Sequence, residues 1–248
     1  MNRKKMIMYV LLSILALAMG GLSASAAATA GKTAAVDKAI ESIMKTKFVP
    51  VYYERKTIGK MKSVSQEKAD PQKKIDPQTE ETVVKTWDNT AKGQYREEAK
   101  SAGKTYYVVS DGKKTIHYTA GEKQAIAYPS PVNSSPIDAK HVIRNMQVTT
   151  DLTLVGEENM LSRTVYHFKG EGKTVKKKLA GGGTRTVTYP DMEIWVDKKT
   201  GLLLKQKHQD QYYDWELTVT KIDFPSKFPT NTFKLSLPKG VKVVDAED

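Results

Sequence analysis

Residues 94–128 read QYREEAKSAGKTYYVVSDGKKTIHYTAGEKQAIAY, and the fold class turns on how this stretch is read. Four short runs rich in aromatic and branched residues, Gln94 to Ala99, Thr105 to Ser110, Thr115 to Thr119 and Gln124 to Tyr128, are separated by Ala102-Gly103, Asp111-Gly112 and Gly121. Glycine at those points tolerates the left-handed backbone of tight turns, so the runs predict four consecutive antiparallel strands.

Outward toward the N-terminus, Thr82-Val83-Val84-Lys85-Thr86-Trp87 has strand character, and the polar stretch from about Gly59 to Thr79, with Pro71 and Pro77, predicts a long loop or a hairpin tip. Val51-Tyr52-Tyr53 opens a first strand after Pro50. From Thr33 to about Lys47 the residues Ala35, Val36, Ala39, Ile40, Ile43 and Met44 recur at helical spacing, which predicts one amphipathic helix.

Outward toward the C-terminus, Pro129, Pro131 and Pro136 interrupt the sheet, and Asp138 to Met146 fits a short helix across it. Strands then resume at Leu152 to Val155 and Thr164 to Phe168. A basic, glycine-rich excursion follows (Lys176-Lys177-Lys178, Gly181-Gly182-Gly183), and after it Glu193 to Asp197 and Leu202 to Lys205 flank a turn. Tyr213 to Thr220 alternates with period two, placing Tyr213, Trp215, Leu217 and Val219 on one face. A last run holds Phe233, Leu235, Leu237 and Val241 to Val244. The reading is a mainly β (α+β) chain built on one antiparallel sheet.

The chain has 248 residues, no cysteine and a formal charge of +12. Arg3, Lys4 and Lys5, the apolar run from Met6 to about Leu22 and the small residues Ser23 to Ala28 have the three parts of an export signal, with cleavage expected after Ala26. The rival is an uncleaved anchor, since the run sits at the lower edge of what spans a bilayer. Residues 27–248 are expected to form one domain, large enough to bury a core without disulfides. For an exported protein the positive charge favours anionic membrane or wall surfaces over nucleic acid, and Lys176, Lys177, Lys178 and Arg185 are the candidate contacts. Solvated lysines that confer solubility are the competing reading.

No catalytic site is expected. His117, His141, His167 and His208 stand at no ligand spacing, and no H-E-x-x-H, G-x-S-x-G or phosphate loop is present. The triple glycine lacks the strand and helix that a phosphate cradle requires. No metal or cofactor is expected either. An antiparallel sheet covered by helices either packs its inner face solid or leaves an apolar cavity. Tyr107, Val109, Ile116, Tyr118, Ile126, Tyr128, Ile194, Val196, Trp215 and Leu217 are the residues that would line such a cavity, or fill it as core.

Two segments carry a family resemblance. Gly93 to Glu98 with Tyr106 to Tyr118 is one. The other is Glu193 to Leu202, followed by Thr220 to Phe224 and the closing Phe233 to Val241. Together they resemble the outer-membrane lipoprotein carriers and their LolA-like relatives, over about Val36 to Asp245. The resemblance implies a curved sheet forming a half-open barrel with helices as a lid, around an apolar pocket that accepts lipid or the acyl chains of lipoproteins. It also implies, in other relatives, partners among membrane-bound regulators and spore or envelope machinery. Arg96 lies in the matching Gly-x-Tyr-Arg segment. Two functions are therefore expected to compete: an exported, non-enzymatic protein holding a lipid or acylated partner, or a protein-binding scaffold or regulator of the same fold with a filled cavity, whose partner could be membrane-associated.

Overall fold

A computed structural model of the chain describes residues 34–62, 79–178, 182–210 and 212–246. The export signal and most of the polar stretch after Gly59 lie outside the described residues.

Helix α1 (Ala34–Met44) buries Val36, Ala39, Ile40 and Ile43, four of the residues its spacing singled out. The chain then lays down β1 (Val51–Met61), β2 (Thr79–Asn89), β3 (Gln94–Ser101), β4 (Lys104–Asp111), β5 (Thr115–Thr119) and β6 (Gln124–Tyr128). Helix α2 (Ala139–Thr149) follows, started by the Asp138 carboxylate, which accepts a hydrogen bond from the Lys140 amide. After it come β7 (Thr150–Met160), β8 (Arg163–Gly172), β9 (Thr174–Lys178), β10 (Thr184–Thr188), β11 (Asp191–Asp197), β12 (Leu203–Gln209), β13 (Tyr213–Asp223) and β14 (Lys242–Asp245).

Twelve strands form one open sheet in the order β14-β6-β5-β4-β3-β2-β1-β13-β12-β11-β8-β7, and β9 pairs with β10 alone. Every neighbour in the large sheet is antiparallel except β14, which runs parallel to β6. A curved antiparallel sheet, not closed into a barrel and carrying two helices, is the architecture that the resemblance implies. The order of helix, meander, crossing helix and second strand set is the order expected. Among the described residues no helix is long and apolar enough to cross a membrane.

Two expectations need amending. The arms of the glycine-rich excursion, β9 and β10, form a regular antiparallel ladder, because threonines and valines on both arms pair in register. The run from Phe233 to Leu237 is not a strand: β14 begins only at Lys242, and Pro225, Pro229 and Pro238 punctuate the approach to it.

Residues directly opposite each other in an antiparallel ladder point to the same face, so the registers assign every side chain to one of two faces. The rungs Phe168, Ile194, Gln206 and Leu217, and Gly170, Met192, His208 and Trp215, belong to the face on which α1 and α2 pack. There Ile43, Ile143, Met146, Phe168, Ile194 and Leu204 form one core with no exposed surface. Burying each such side chain contributes about 1.5–3 kcal/mol relative to leaving it in water. Gly170 has a specific role here: a Cβ at that position would collide with the Thr150 side chain and Met146 Cε, so its absence lets α2 settle on the sheet.

Candidate functional site

The expected cavity residues divide between the two faces. Ile194, Val196, Trp215 and Leu217 lie on the helix face, and Ile126 and Tyr128 lie on the same face at the far end of the sheet. Tyr107, Val109, Ile116 and Tyr118 point the other way, in register with Trp87, Arg96 and Glu98. Period-two alternation groups residues within one strand; which strands share a side follows from the register between them, and that is set in three dimensions.

On the helix face, Ile194 and Val196 are completely buried and Leu217 is 2% exposed. A side chain with no accessible surface borders no space that a water molecule could enter, so this half of the face is filled. Trp215 is half-buried. Beyond the helices the same face opens: Ile126 is 41% and Tyr128 37% exposed, beside the half-buried Tyr106, Val108 and His117. Burial lowers the pKa of His117 against a small opposing pull from Glu97.

Between the filled and open halves lies a polar cluster that sequence reasoning missed. Tyr53, Thr86, Glu97, Val108 and His117 form one rung, flanked by Arg55 on one side and by Asp88 and Tyr95 on the other. Arg55 Nη2 donates to Glu97 Oε2 at 2.9 Å, and the Tyr95 hydroxyl donates to the same oxygen at 2.5 Å. Burial works against the Arg55 charge, but the Glu97 carboxylate outweighs it and holds the guanidinium protonated. Burial raises the Tyr53 and Tyr95 phenols above their ordinary value. The Tyr53 and Thr86 hydroxyls and Arg55 Nε lack a partner at hydrogen-bond geometry. Asp88 is pushed up to about 6 by burial, against hydrogen bonds from Ser135 and Thr90, with Asp138 adding to the rise. Single-strand patterns hid the cluster because its members are spread two per strand over β1, β2 and β3, at positions that alternation marks as interior and therefore apolar.

On the opposite face a second apolar patch lies outside the main core. Val109 (3% exposed), Tyr118 (7%), Ala125 (0%) and Ala127 (4%) are buried, with Tyr107 stacked on Tyr118. Their cover is the chain's own C-terminal segment. After β13 it crosses this face, where Arg96 Nη1 donates to the carbonyl oxygens of Thr232 and Lys234, and it ends as β14 along β6. Arg96 also lies over the Trp87 ring and pairs with Glu98. Arg96 therefore faces away from the helices and clamps this strap.

The basic residues project on the β9–β10 hairpin. Lys176 and Lys178 share one side; Lys177, whose ammonium lies 5.3 Å from the Tyr189 ring centroid, and Arg185 share the other. Lys176, Lys178 and Arg185 are exposed.

Among the described residues the one histidine held by two carboxylates is His167, on the strap side of the sheet. Its Nδ1 faces Glu158 and its Nε2 faces Glu193, at 2.8 and 3.0 Å, and its ring stacks on Trp195. The Trp195 indole donates to Glu158 as well. Both ring nitrogens are thus committed to structural contacts, and no hydroxyl is hydrogen-bonded to the ring as a nucleophile would be. Among the described residues no group of three or more His, Asp or Glu is arranged to hold a metal ion.

No family model matches this chain, and no curated protein does. Solved structures similar to it include an uncharacterized conserved protein from Thermus thermophilus, at 16% identity over 86% of this chain and 99% of that chain, TM-score 0.47. The Pseudomonas aeruginosa MucA/MucB complex provides another, at 12% identity over 81% and 59%, TM-score 0.44. A third is the LolA superfamily protein NE2245 from Nitrosomonas europaea, at 10% over 80% and 97%, TM-score 0.29. Similarities of this size do not bear on what the chain binds.

Proposed function

We propose that this chain is an exported, non-enzymatic protein-binding module of the cell envelope, acting as a scaffold or regulator, with its interior filled by its own side chains. The observation that carries this reading is the complete burial of Ile194 and Val196 beneath α1 and α2, which leaves no space for an acyl chain against these two of the residues expected to line a pocket. The leader-like N-terminus supports export. The hairpin cations Lys176, Lys177, Lys178 and Arg185 would hold the module against an anionic membrane or wall surface while it engages its partner.

A second reading is favoured by a separate observation. Ile126 and Tyr128 are exposed at the open end of the helix face, where a lipid or the acyl chain of a lipoprotein would find an apolar strip. Burying a chain of about 14 carbons would contribute on the order of 10 kcal/mol before ordering costs, so an authentic lipid site would come out of the cell occupied.

Native mass spectrometry of the mature protein separates the two. The filled-interior reading expects the bare polypeptide mass, unchanged after incubation with phospholipid vesicles. A stoichiometric adduct that releases an acyl chain on solvent extraction would overturn it and establish lipid binding.

A further inference from the structure

The strap across the second apolar patch has the form of an occupant in a groove. It is held largely through its main chain: Arg96 binds two of its carbonyl oxygens, and β14 adds four residues of ladder to β6. Its side chains alternate. Phe233 is buried, Leu235 and Leu237 are half-buried, and Lys234, Ser236 and Pro238 between them are exposed. This stretch is bounded by hydrogen-bonded turns at residues 229–234 and 238–241, and beyond the second turn β14 joins the edge of the sheet by strand addition, through backbone hydrogen bonds to β6.

The attachment is also light. From Phe224 to Val241 the strap has no strand or helix, the β14 residues are mostly exposed, and Val243 is 47% exposed. Parallel pairing is slightly less stable per residue than antiparallel, and a four-residue terminal strand opens at low cost. If the strap leaves, β6 becomes a free sheet edge, and Val109, Tyr118, Ala125 and Ala127 lose their cover.

We propose that this groove is a docking site for a segment of a partner protein. The segment would have an aromatic-x-Leu-x-Leu pattern running into a strand along β6, and the chain's own residues 232–246 keep the groove closed until that segment displaces them. The inference deepens the protein-binding reading above and rests on it. The partner's chemistry is taken from the occupant that already fits: apolar side chains at alternate positions, main-chain carbonyls for Arg96, and a backbone free to pair with β6.

The test uses the full mature chain and a labelled synthetic peptide with the sequence of residues 229–246. Wild type is expected to take up the peptide weakly. Phe233→Ala, which loosens the strap, should take it up at least tenfold more tightly, and adding Arg96→Ala should reverse that gain. A Phe233→Ala protein that melts cooperatively yet takes up no peptide would overturn the proposal. Hydrogen exchange on wild type gives an answer independent of any variant: the amides of Lys242–Asp245 should exchange orders of magnitude faster than those shared by β1 and β13, and equal protection would also overturn it. Dimers of wild type formed by exchange of the strap would make a second copy the occupant and overturn the partner assignment. An acyl adduct in the native mass would sink the protein-binding reading while leaving the peptide result as measured, so the two failures are distinct.

Discussion

Asp88 is fully buried with its carboxyl pushed up to about 6, and the consequence for stability has a definite sign. A carboxyl whose folded value exceeds its unfolded value binds more protons when folded, so its contribution is complete below the ordinary carboxylate range and is lost as pH rises through about 6. Asp88→Asn keeps an oxygen to accept the Thr90 amide and removes the ionisation. It should raise stability by about 1–2 kcal/mol at pH 7.5 and change little at pH 4, read from melting temperatures at the two pH values. Asp197 behaves in the opposite sense. Burial alone would raise its pKa, but the Arg163 guanidinium, bound through two hydrogen bonds, together with the Thr200 hydroxyl and amide, lowers it. That contribution is present above the ordinary carboxylate range and is lost as pH falls through the depressed value. Asp197→Ala should cost about 3 kcal/mol at pH 7, measured by urea denaturation, since it orphans Arg163 and unties the turn to Gly201. For the buried Arg55–Glu97 pair, Glu97→Leu alone leaves an unpaired buried guanidinium and should cost about 3–5 kcal/mol. The double variant Arg55→Met/Glu97→Leu should recover most of that loss, and a double variant as unstable as the single one would show that the pair itself stabilises the fold.

Whole elements were legible to the extent that their patterns are local. The period of α1, the Asp138 start of α2 and the turn glycines of the β3–β6 meander are properties of a few consecutive residues, and each stands where its pattern placed it. In the C-terminal run Phe233, Leu235 and Leu237 alternate with exposed residues, and alternation there suits a segment pressed on a face as well as a strand within a ladder. The β9–β10 hairpin shares no hydrogen-bonded ladder with the large sheet, so its charges can be altered without disturbing the core. Reversing Lys176, Lys177 and Lys178 to Glu should abolish sedimentation with anionic vesicles at low salt and shift the melting temperature by no more than about 2 °C. A large loss of stability would instead assign these lysines a structural role.

At the scale of the whole molecule, one sheet carries two separate apolar covers, helices on one side and a C-terminal strap on the other, and the residues expected to line a single cavity are shared between them. Phe168→Ala, deep under the helices, should cost about 3–5 kcal/mol in chemical denaturation because the space it leaves has few ways to collapse. The amino-acid sequence by itself determined the class of structure, with the two helices and the β3–β6 meander where their patterns lie, and, lacking cysteine, it rules out any disulfide. These follow from periodicity and residue type, which act over a few positions of chain. The tertiary structure alone decided which face each strand presents, that Ile194 and Val196 are sealed while Ile126 and Tyr128 remain open, that Arg55, Glu97, Tyr95 and Asp88 converge, and that Arg96 grips the strap. Those outcomes depend on strand register and on contacts between distant residues, 42 positions apart for Arg55 and Glu97 and 138 for Arg96 and Lys234, where a shift of one residue exchanges the two faces.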